Sequence, residues 1–386
     1  MPGFTLNRVP AVAVGPGRVN DIGADVTRLT GGPASVLLVA DPGLAALGIT
    51  GQVETALSAG GHRVVRFEDF ASDPAETAVS AGAVMGWENK AQVVVGLGGG
   101  SALDTAKMIA AMAVADRPVE DYRLAATPLP ERRVRMICIP TTAGTGSETT
   151  AVSVLSSPDH AKYWYWGDAL KPDFVILDPV LSVGLPAPLT AATGVDALVH
   201  AMEAATNRGA NPGNDVYAFA AIRLAVGHLP TAVSDPGNLD ARTRMLLAAS
   251  SAGVAIDNAG TALAHNVGHA LGSLMPIHHG RAVAIGMSAT LPWVIEGNRE
   301  AFARVAEAFG LDTVDALPDR FRALLDELGI DMSLPRAVDA ATLATSMGAP
   351  ENAAMLSATV RDAMPADLET LAEAVLATTR QSSEAA

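Results

Sequence analysis

Histidines and one aspartate recur at four-residue spacing in the second half of the chain. Asp196 and His200 lie four apart in a segment of helical periodicity, so both side chains would leave one face of a helix and could bind one ion. His265 and His269 repeat this spacing, and the pair His278-His279 follows. One carboxylate with several imidazoles suits Zn(II) or Fe(II) better than Ca(II) or Mg(II). The pattern therefore predicts a transition-metal centre.

A single histidine is more often a hydrogen-bonded core residue than a metal ligand. The isolated His228 is interpreted in that way. For the other histidines, paired spacing in an otherwise histidine-poor chain favours a metal site.

A glycine-rich segment over residues 96–107 follows a short apolar run. Gly98, Gly99 and Gly100 would let backbone N–H groups approach an anion, and a helix predicted to start at Ser101 would add the positive end of its dipole. The segment predicts a cradle for a diphosphate, with a tight strand-to-helix connection as the alternative. It lacks the residue order of a P-loop, so ATP hydrolysis gains no support.

A second thin loop, residues 140–150, directly follows another apolar run. Its hydroxyl side chains are interleaved with glycine and can donate hydrogen bonds to sugar and phosphate oxygens. A polar hairpin is the alternative. Two such loops at the carboxyl ends of neighbouring strands predict a nucleotide site, because open α/β sheets bind nucleotides there. The hydroxyl residues expected to line it are Thr141, Thr142, Thr145 and Ser147.

Asp41 ends the first strong apolar run, residues 36–40. A carboxylate at this position can accept hydrogen bonds from ribose hydroxyls and repels a 2′-phosphate, which predicts NAD rather than NADP. Asp41 precedes the glycine-rich segment, whereas the acidic residue usually follows it by about twenty residues. The alternative is a turn-forming aspartate before Pro42 and Gly43.

The elements that must position these residues change character near residue 184. Before about residue 180, β-rich runs alternate with helical stretches, which predicts βαβ units and a mostly parallel sheet. After residues 185–188 only helical periodicity remains. We therefore predict an α/β domain over residues 1–183, an all-helical domain over residues 184–386, and a site in the cleft between them. The predicted strands cover residues 35–40, 63–67, 92–96, 134–139 and 174–177.

Composition and charge exclude several classes of protein. The 386 residues are 49% hydrophobic and 17% charged, which is typical of a globular chain of about two domains. A net charge of −15 would repel nucleic acid and anionic lipid, so neither is an expected partner. The single cysteine, Cys138, lies in a predicted strand and cannot form an intrachain disulfide, which suits a cytoplasmic location. The sequence shows no signal-peptide pattern and no uninterrupted apolar span, so we expect neither export nor membrane insertion.

Together the motifs resemble the iron-containing (group III) alcohol dehydrogenase family. The resemblance implies a Rossmann-like nucleotide-binding α/β domain, an all-α metal-binding domain in a dehydroquinate synthase-like architecture, and hydride transfer between NAD and a small alcohol or aldehyde. It also implies a homo-oligomer, most simply a dimer through the edge of the N-terminal domain. The motifs that carry it, in family order, are Gly98-Gly-Gly-Ser101 with Asp104 and Lys107, residues 140–148, Asp178-Pro179, residues 193–200 with Glu203, His265-Asn-Val-Gly-His269, and His279-Gly280.

The resemblance also implies roles for individual residues. His269 lies close to the metal without being needed as a ligand. We expect it to relay the alcohol proton to solvent. The alternative is that it supports metal binding from outside the ligand set. Lys162 matches a family lysine that reaches the cofactor; the alternative is a solvated surface lysine. His279 is preferred to His278 because the family places a ligand directly before the following glycine. The implied metal ligands are Asp196, His200, His265 and His279, and the implied cofactor contacts are Asp41, Gly98, Gly99, Gly100, Ser101, Asp104, Thr141, Thr142, Thr145, Ser147 and Lys162.

Two segments depart from the family pattern. The run Tyr163-Trp164-Tyr165-Trp166 stands where many relatives have aliphatic and small residues, and residues 281–293 lack the asparagine and histidine common in better-known relatives. Both border the family's cleft, so the substrate could instead be a diol, a hydroxyacid or a glycerol-type compound; simple packing is the alternative for the aromatic run. A dehydroquinate synthase-like cyclase needs basic residues for a phosphorylated substrate and is disfavoured, because Arg281 is the only Lys or Arg over residues 250–281.

Overall fold

The computed structural model describes residues 3–132, 134–157 and 161–384. Six strands form a parallel sheet in the order β1-β8-β5-β4-β2-β3, and β6 and β7 form a separate antiparallel hairpin. The predicted mostly parallel sheet is therefore confirmed. The strands are β1 (Ala11–Val14), β2 (Ser35–Ala40), β3 (Arg63–Phe67), β4 (Val93–Gly98), β5 (Arg135–Pro140), β6 (Val152–Ser156), β7 (Lys162–Trp166) and β8 (Phe174–Leu177).

Helices pack on both faces of this sheet and form the second half of the chain. Between residues 187 and 384, all of which are described, the chain forms helices and no strand, which confirms the predicted all-α second half. The helices are α1 (Ile22–Thr30), α2 (Gly43–Ala46), α3 (Ile49–Ala59), α4 (Glu76–Glu88), α5 (Gly100–Met112), α6 (Ala187–Thr206), α7 (Pro212–Ser234), α8 (Leu239–Ala259), α9 (Leu263–Leu274), α10 (His279–Ile295), α11 (Arg299–Ala308), α12 (Leu317–Glu327), α13 (Ala340–Met347), α14 (Ala353–Ala358) and α15 (Pro365–Glu384).

The central strands are buried on both faces, as their continuous Val, Ile and Leu runs require. Alternate side chains of β2 and β4 pack against α4 and α5 on one face and against α1 and α3 on the other. Cys138 lies in β5 and is completely buried, so the expectation of a strand residue is confirmed. Burial raises the pKa of this thiol far above its usual range.

Three strands and two local details differ from the sequence-based expectations. The runs over β1, β6 and β7 were not predicted as strands: β1 has only four residues, and β6 and β7 pair outside the main sheet. The helix after the glycine-rich segment begins at Gly100 instead of Ser101. The loop after β5 is not a polar hairpin, because it closes in a 3₁₀ turn over Ser147–Thr149 before β6. The boundary at residue 184 stays a prediction; β8 ends at Leu177 and α6 begins at Ala187.

The loop between β5 and β6 joins the sheet to the helical half through a very close backbone contact. Gly146 has a φ of +62°, and a Cβ atom there would lie only 2.5 Å from Cα of Gly253 in α8. Thr149 Oγ1 donates a hydrogen bond to the carbonyl of Ser250, 3.0 Å away. Glycine at both positions is therefore required for the two halves to meet at this point.

Helix α7 is the one helix of the described residues whose length and mean hydropathy would suit a membrane span. Its side chains Ala218, Ile222, Ala225 and Leu229 are buried in the core of the helical half. This is the packing of a core helix.

Candidate metal centre and cofactor cleft

The structure brings the four predicted metal ligands together from three helices. Asp196 and His200 lie one turn apart on α6, His265 lies on α9, and His279 begins α10. Asp196 Oδ1 is 3.5 Å from His265 Nε2 and 3.6 Å from His279 Nε2. The His200 ring stacks on the His265 ring with 4.3 Å between centroids, and its Nδ1 is 4.0 Å from Asp196 Oδ2. The neighbouring His278 is exposed and lies outside this cluster.

Three atoms of this cluster are buried without a hydrogen-bond partner among the described residues: Asp196 Oδ1, His200 Nδ1 and His265 Nε2. Buried unpaired polar atoms are rare because each costs free energy. A cation bound between them would satisfy all three at once. One carboxylate and three imidazoles are donors that suit Fe(II) or Zn(II), so the residues present fit a transition-metal ion.

The electrostatics of the cluster also favour a cation. Burial opposes ionisation of Asp196, but the imidazoles of His200, His279 and His265 outweigh it and hold the pKa of Asp196 well below its usual range. Burial lowers the pKa of His200 to about 4 and that of His279 to about 3. Near neutral pH both rings are therefore uncharged, with a nitrogen lone pair available to a metal.

Glu203 is a functional residue to which the sequence alone assigned no role. It lies on α6, three residues beyond His200, and one of its oxygens is 2.6 Å from Nδ1 of His265. The same carboxylate accepts hydrogen bonds from the backbone N–H groups of Ala262 and Ala264, at 2.8 and 2.7 Å. It therefore caps the start of α9 and orients the His265 ring. The signal was present in the spacing, since positions 196, 200 and 203 share one face of a helix.

The contact with Glu203 also decides the charge of His265. Burial lowers the pKa of this ring, but the carboxylates of Glu203 and Asp196 outweigh burial and raise it to about 9. A proton on Nδ1 directed at Glu203 leaves Nε2 facing Asp196. Metal-binding histidines are commonly held by a carboxylate in this way.

His269 lies one turn beyond His265 and outside the ligand cluster. Its ring stacks on Trp164, with 5.1 Å between centroids, and meets the His279 ring edge-on at 5.4 Å. Burial is the main cause that lowers the pKa of His269 well below its usual range, and the neighbouring His279 and Lys162 act in the same direction. The ring is therefore neutral and adjacent to the metal centre.

The glycine-rich segment and the threonine-rich loop meet at the carboxyl edge of the sheet. A Cβ atom on Gly98 would lie 2.7 Å from Cβ of Ala102 and 2.9 Å from Cβ of Asp41, and one on Gly100 would lie 2.6 Å from Cγ2 of Thr145. The N–H of Thr141 donates to the carbonyl of Gly98, 3.0 Å away. Only glycine permits this close approach, and α5 starts there with free N–H groups at its first turn.

Two predicted cofactor contacts are already hydrogen bonded within the protein. Ser147 Oγ donates to Asp104, whose other oxygen accepts the N–H of Val154 at 3.0 Å. The completely buried Lys107 donates to both the carbonyl and the hydroxyl oxygen of Ser147, at 2.9 Å each, and to Thr150 Oγ1 at 3.1 Å. Asp104 and Ser147 thus fix the loop to α5 and β6.

The other predicted contacts lie at the rim of this cleft. Asp41 Oδ1 accepts the N–H of Gly43 at 2.8 Å, so the turn-forming role is present. Ser101 Oγ donates to the carbonyl of Ser72, and Lys162 Nζ lies 2.9 Å from an oxygen of Asp73. Thr142 lies against Gly99.

Comparison with known proteins identifies the class to which this fold and site belong. Residues 10–179 match the family model of iron-containing alcohol dehydrogenase, and residues 190–376 match that of the C-terminal domain of the Fe-containing alcohol dehydrogenase family. The chain belongs to the iron-containing alcohol dehydrogenase family and is an oxidoreductase of the alcohol dehydrogenase type.

Individual relatives support the same conclusion. Choline dehydrogenase of Bacillus subtilis (strain 168) is 36% identical over 317 residues, which are 81% of this chain and 78% of that protein. NAD-dependent methanol dehydrogenase of Bacillus methanolicus is 34% identical over 302 residues, 78% of either chain. The crystal structure of sulfoacetaldehyde reductase from Bifidobacterium kashiwanohense in complex with NAD⁺ superposes with a TM-score of 0.89 at 27% identity, covering 97% of this chain and 99% of that one.

We expect Glu203→Ala to weaken Zn(II) binding about 10- to 100-fold, because His265 loses the carboxylate that orients it. A competition titration against a chelator measures this affinity. The matched control is Asp339→Ala, which removes a carboxylate that caps α13 through the N–H of Thr342. That control should lose about 1 kcal/mol of stability and no metal affinity. Equal affinities for the two variants would contradict the assigned role of Glu203.

Proposed function

We propose that this chain is an NAD-dependent, divalent-metal-dependent alcohol dehydrogenase and aldehyde reductase that acts on a small alcohol or aldehyde by direct hydride transfer. The observation that carries the proposal is the set of three buried, unpaired ligand atoms on Asp196, His200 and His265, located beside a neutral histidine. Family membership supplies the reaction class.

Asp196, His200, His265 and His279 would hold one Fe(II) or Zn(II) ion per chain. When bound, the ion would polarise the substrate oxygen, and NAD would exchange a hydride with the adjacent carbon. The protein contributes a fixed negative charge at Asp196 and neutral imidazole nitrogens. Glu203 keeps the His265 ring in place, so little reorganisation is needed when the ion binds.

NAD would bind at the carboxyl edge of the sheet. Backbone N–H groups of Gly99, Gly100 and Ser101 would bind the diphosphate at the start of α5, and Gly98 allows its close approach. Asp41 packs against Gly98 and would contact the ribose, which favours NAD over NADP. The remaining proposed contacts are Thr141, Thr142, Thr145 and Lys162, while Asp104 and Ser147 hold the loop in position.

His269 would take the proton of the alcohol on a ring nitrogen and pass it to solvent. Its neutral state and its contact with the ligand His279 support this role. A cyclase is not favoured, because the guanidinium of Arg281 donates to the carbonyls of Asp331 and Ser333, at 2.8 and 2.9 Å, and is occupied there.

We also propose a cytoplasmic homodimer formed through the edge of the sheet. Strand β1 is an edge strand, and its Val12 and Val14 side chains are 39% and 41% exposed. An exposed apolar edge strand is a ready surface for pairing with a second chain. The buried, unpaired thiol of Cys138 is consistent with a reducing compartment.

After loading with Fe(II) or Zn(II), the protein should change NADH absorbance with at least one compound of a panel of short alcohols, diols, hydroxyacids and aldehydes. NAD should give a higher kcat/KM than NADP. Asp196→Ala should lose both the metal and turnover, whereas Asp240→Ala, at an exposed position on α8, should keep both. Full metal content in Asp196→Ala by elemental analysis would refute the ligand assignment. Failure of the whole panel would refute the reaction.

His269→Ala should retain its metal, lose about 10²-fold in kcat and show an altered pH profile, because the proton loses its acceptor. The control is His228→Ala on α7, which should match the wild type. Weakened metal binding in His269→Ala would instead assign it to support of the metal. Retained metal with unchanged kcat at every pH would exclude both roles.

Sedimentation at micromolar concentration should show a dimer of the 39.4 kDa chain. Replacing an exposed edge residue by lysine, as in Val12→Lys, should shift the dimer towards monomer, because an edge lysine opposes strand pairing. A wild-type protein that sediments only as a monomer would rule the dimer out.

A further inference from the structure

The hairpin of β6 and β7 presents one apolar face to the metal centre. Side chains alternate along β7, so Lys162, Trp164 and Trp166 share a face, while Tyr165 on the other face is completely buried and donates to Glu76. The positions of β6 paired with that face are Val152, Val154 and Ser156. The proposed reaction assigns Lys162 to the cofactor and gives the two indoles of this face no role.

Trp164 lies in the middle of a stack of three rings. Trp166 stacks on it with 5.6 Å between centroids and 10° between planes, and His269 stacks on it at 5.1 Å and 13°. Among the ring pairs of the described residues, Trp166 and His269 make no contact with each other, and Trp164 is the ring that the two stacked pairs share. The far edge of His269 points at His279.

This stack restricts His269. A ring held against an indole and edge-on to a second imidazole has little freedom to rotate, so its nitrogens keep one direction relative to His279. The contact of Trp164 with the proposed proton relay is its stack on His269. Its role towards catalysis is therefore that of a positioning residue.

Trp164 is also placed to limit the size of a substrate. Its indole is half-buried and lies against His269, which in turn contacts the predicted metal ligand His279. The bulk of this side chain therefore occupies space close to the metal centre.

We propose that Trp164 is a specificity-determining and positioning residue, which limits the length of the alcohol or aldehyde substrate and holds the ring of His269. This inference rests on the proposed dehydrogenase function. It assigns a role to the run 163–166, which the sequence left open between packing and substrate selection.

The first test compares kcat/KM for ethanol and for 1-hexanol. Trp164→Ala should shift the hexanol-to-ethanol ratio at least about tenfold towards hexanol, because the space next to the metal enlarges. Its kcat for ethanol should fall while its metal content stays unchanged. Trp164→Phe should recover most of the lost kcat, since a planar ring again faces His269. It should restore only part of the limit on substrate length. Trp87→Ala is the control, because Trp87 is 73% exposed on α4.

The second test needs no turnover. In the metal-free protein with ¹³C-labelled histidine, NMR should show a ring-current shift for the His269 ring proton, assigned by its loss in His269→Ala. The shift should disappear in Trp164→Ala and persist in Trp87→Ala. A wild-type protein that turns over no alcohol would refute the proposed function. The ring-current shift would still test whether Trp164 stacks on His269.

Two results would overturn the inference. One is an unchanged hexanol-to-ethanol ratio in Trp164→Ala with intact metal. The other is a ring-current shift of His269 that persists in Trp164→Ala.

Discussion

The backbone contact between Gly146 and Gly253 is the constraint on which the rest of the structure depends. It places the loop between β5 and β6 directly against α8. The sheet edge proposed to bind the cofactor and the helical half that carries the metal ligands are therefore joined at this contact. On its other side the loop is held by the buried ammonium of Lys107, which donates to two oxygens of Ser147. A side chain at either glycine would separate the halves and move the cofactor edge relative to the metal centre. Catalysis by positioning needs this kind of rigidity.

The metal centre shows how buried charge is balanced inside a helical bundle. Asp196 carries a negative charge at a buried position, with imidazoles around it whose own burial keeps two of them neutral. A second buried carboxylate, Glu203, is fully engaged by His265 and by two backbone N–H groups at the start of α9. The two carboxylates therefore differ: one is satisfied by the protein, and the other leaves an unpaired oxygen that a cation would fill.

The β6–β7 hairpin links the two halves of the site a second time. It belongs to the first half of the chain, yet Trp164 packs on His269 of α9. Ser101 donates to the carbonyl of Ser72, and Lys162 contacts the carboxylate of Asp73. The hairpin and the start of α5 are therefore held by one segment at the rim of the cleft. Trp164, which we propose limits the substrate, and the start of α5, which we propose binds the diphosphate, therefore depend on the same short stretch of chain.

The sequence by itself determined five strands of the parallel sheet, the helical second half and the residue types of the metal centre, because each follows from periodicity or spacing within one element. The tertiary structure decided the rest: that His279 and not His278 joins the cluster, that Glu203 orients His265, and that Asp104 and Ser147 bond to each other. It also decided that β1, β6 and β7 are strands and that the indole of Trp164 stacks on His269. These features arise where separate elements meet, and spacing along one helix or strand carries no information about the distance to a side chain on another.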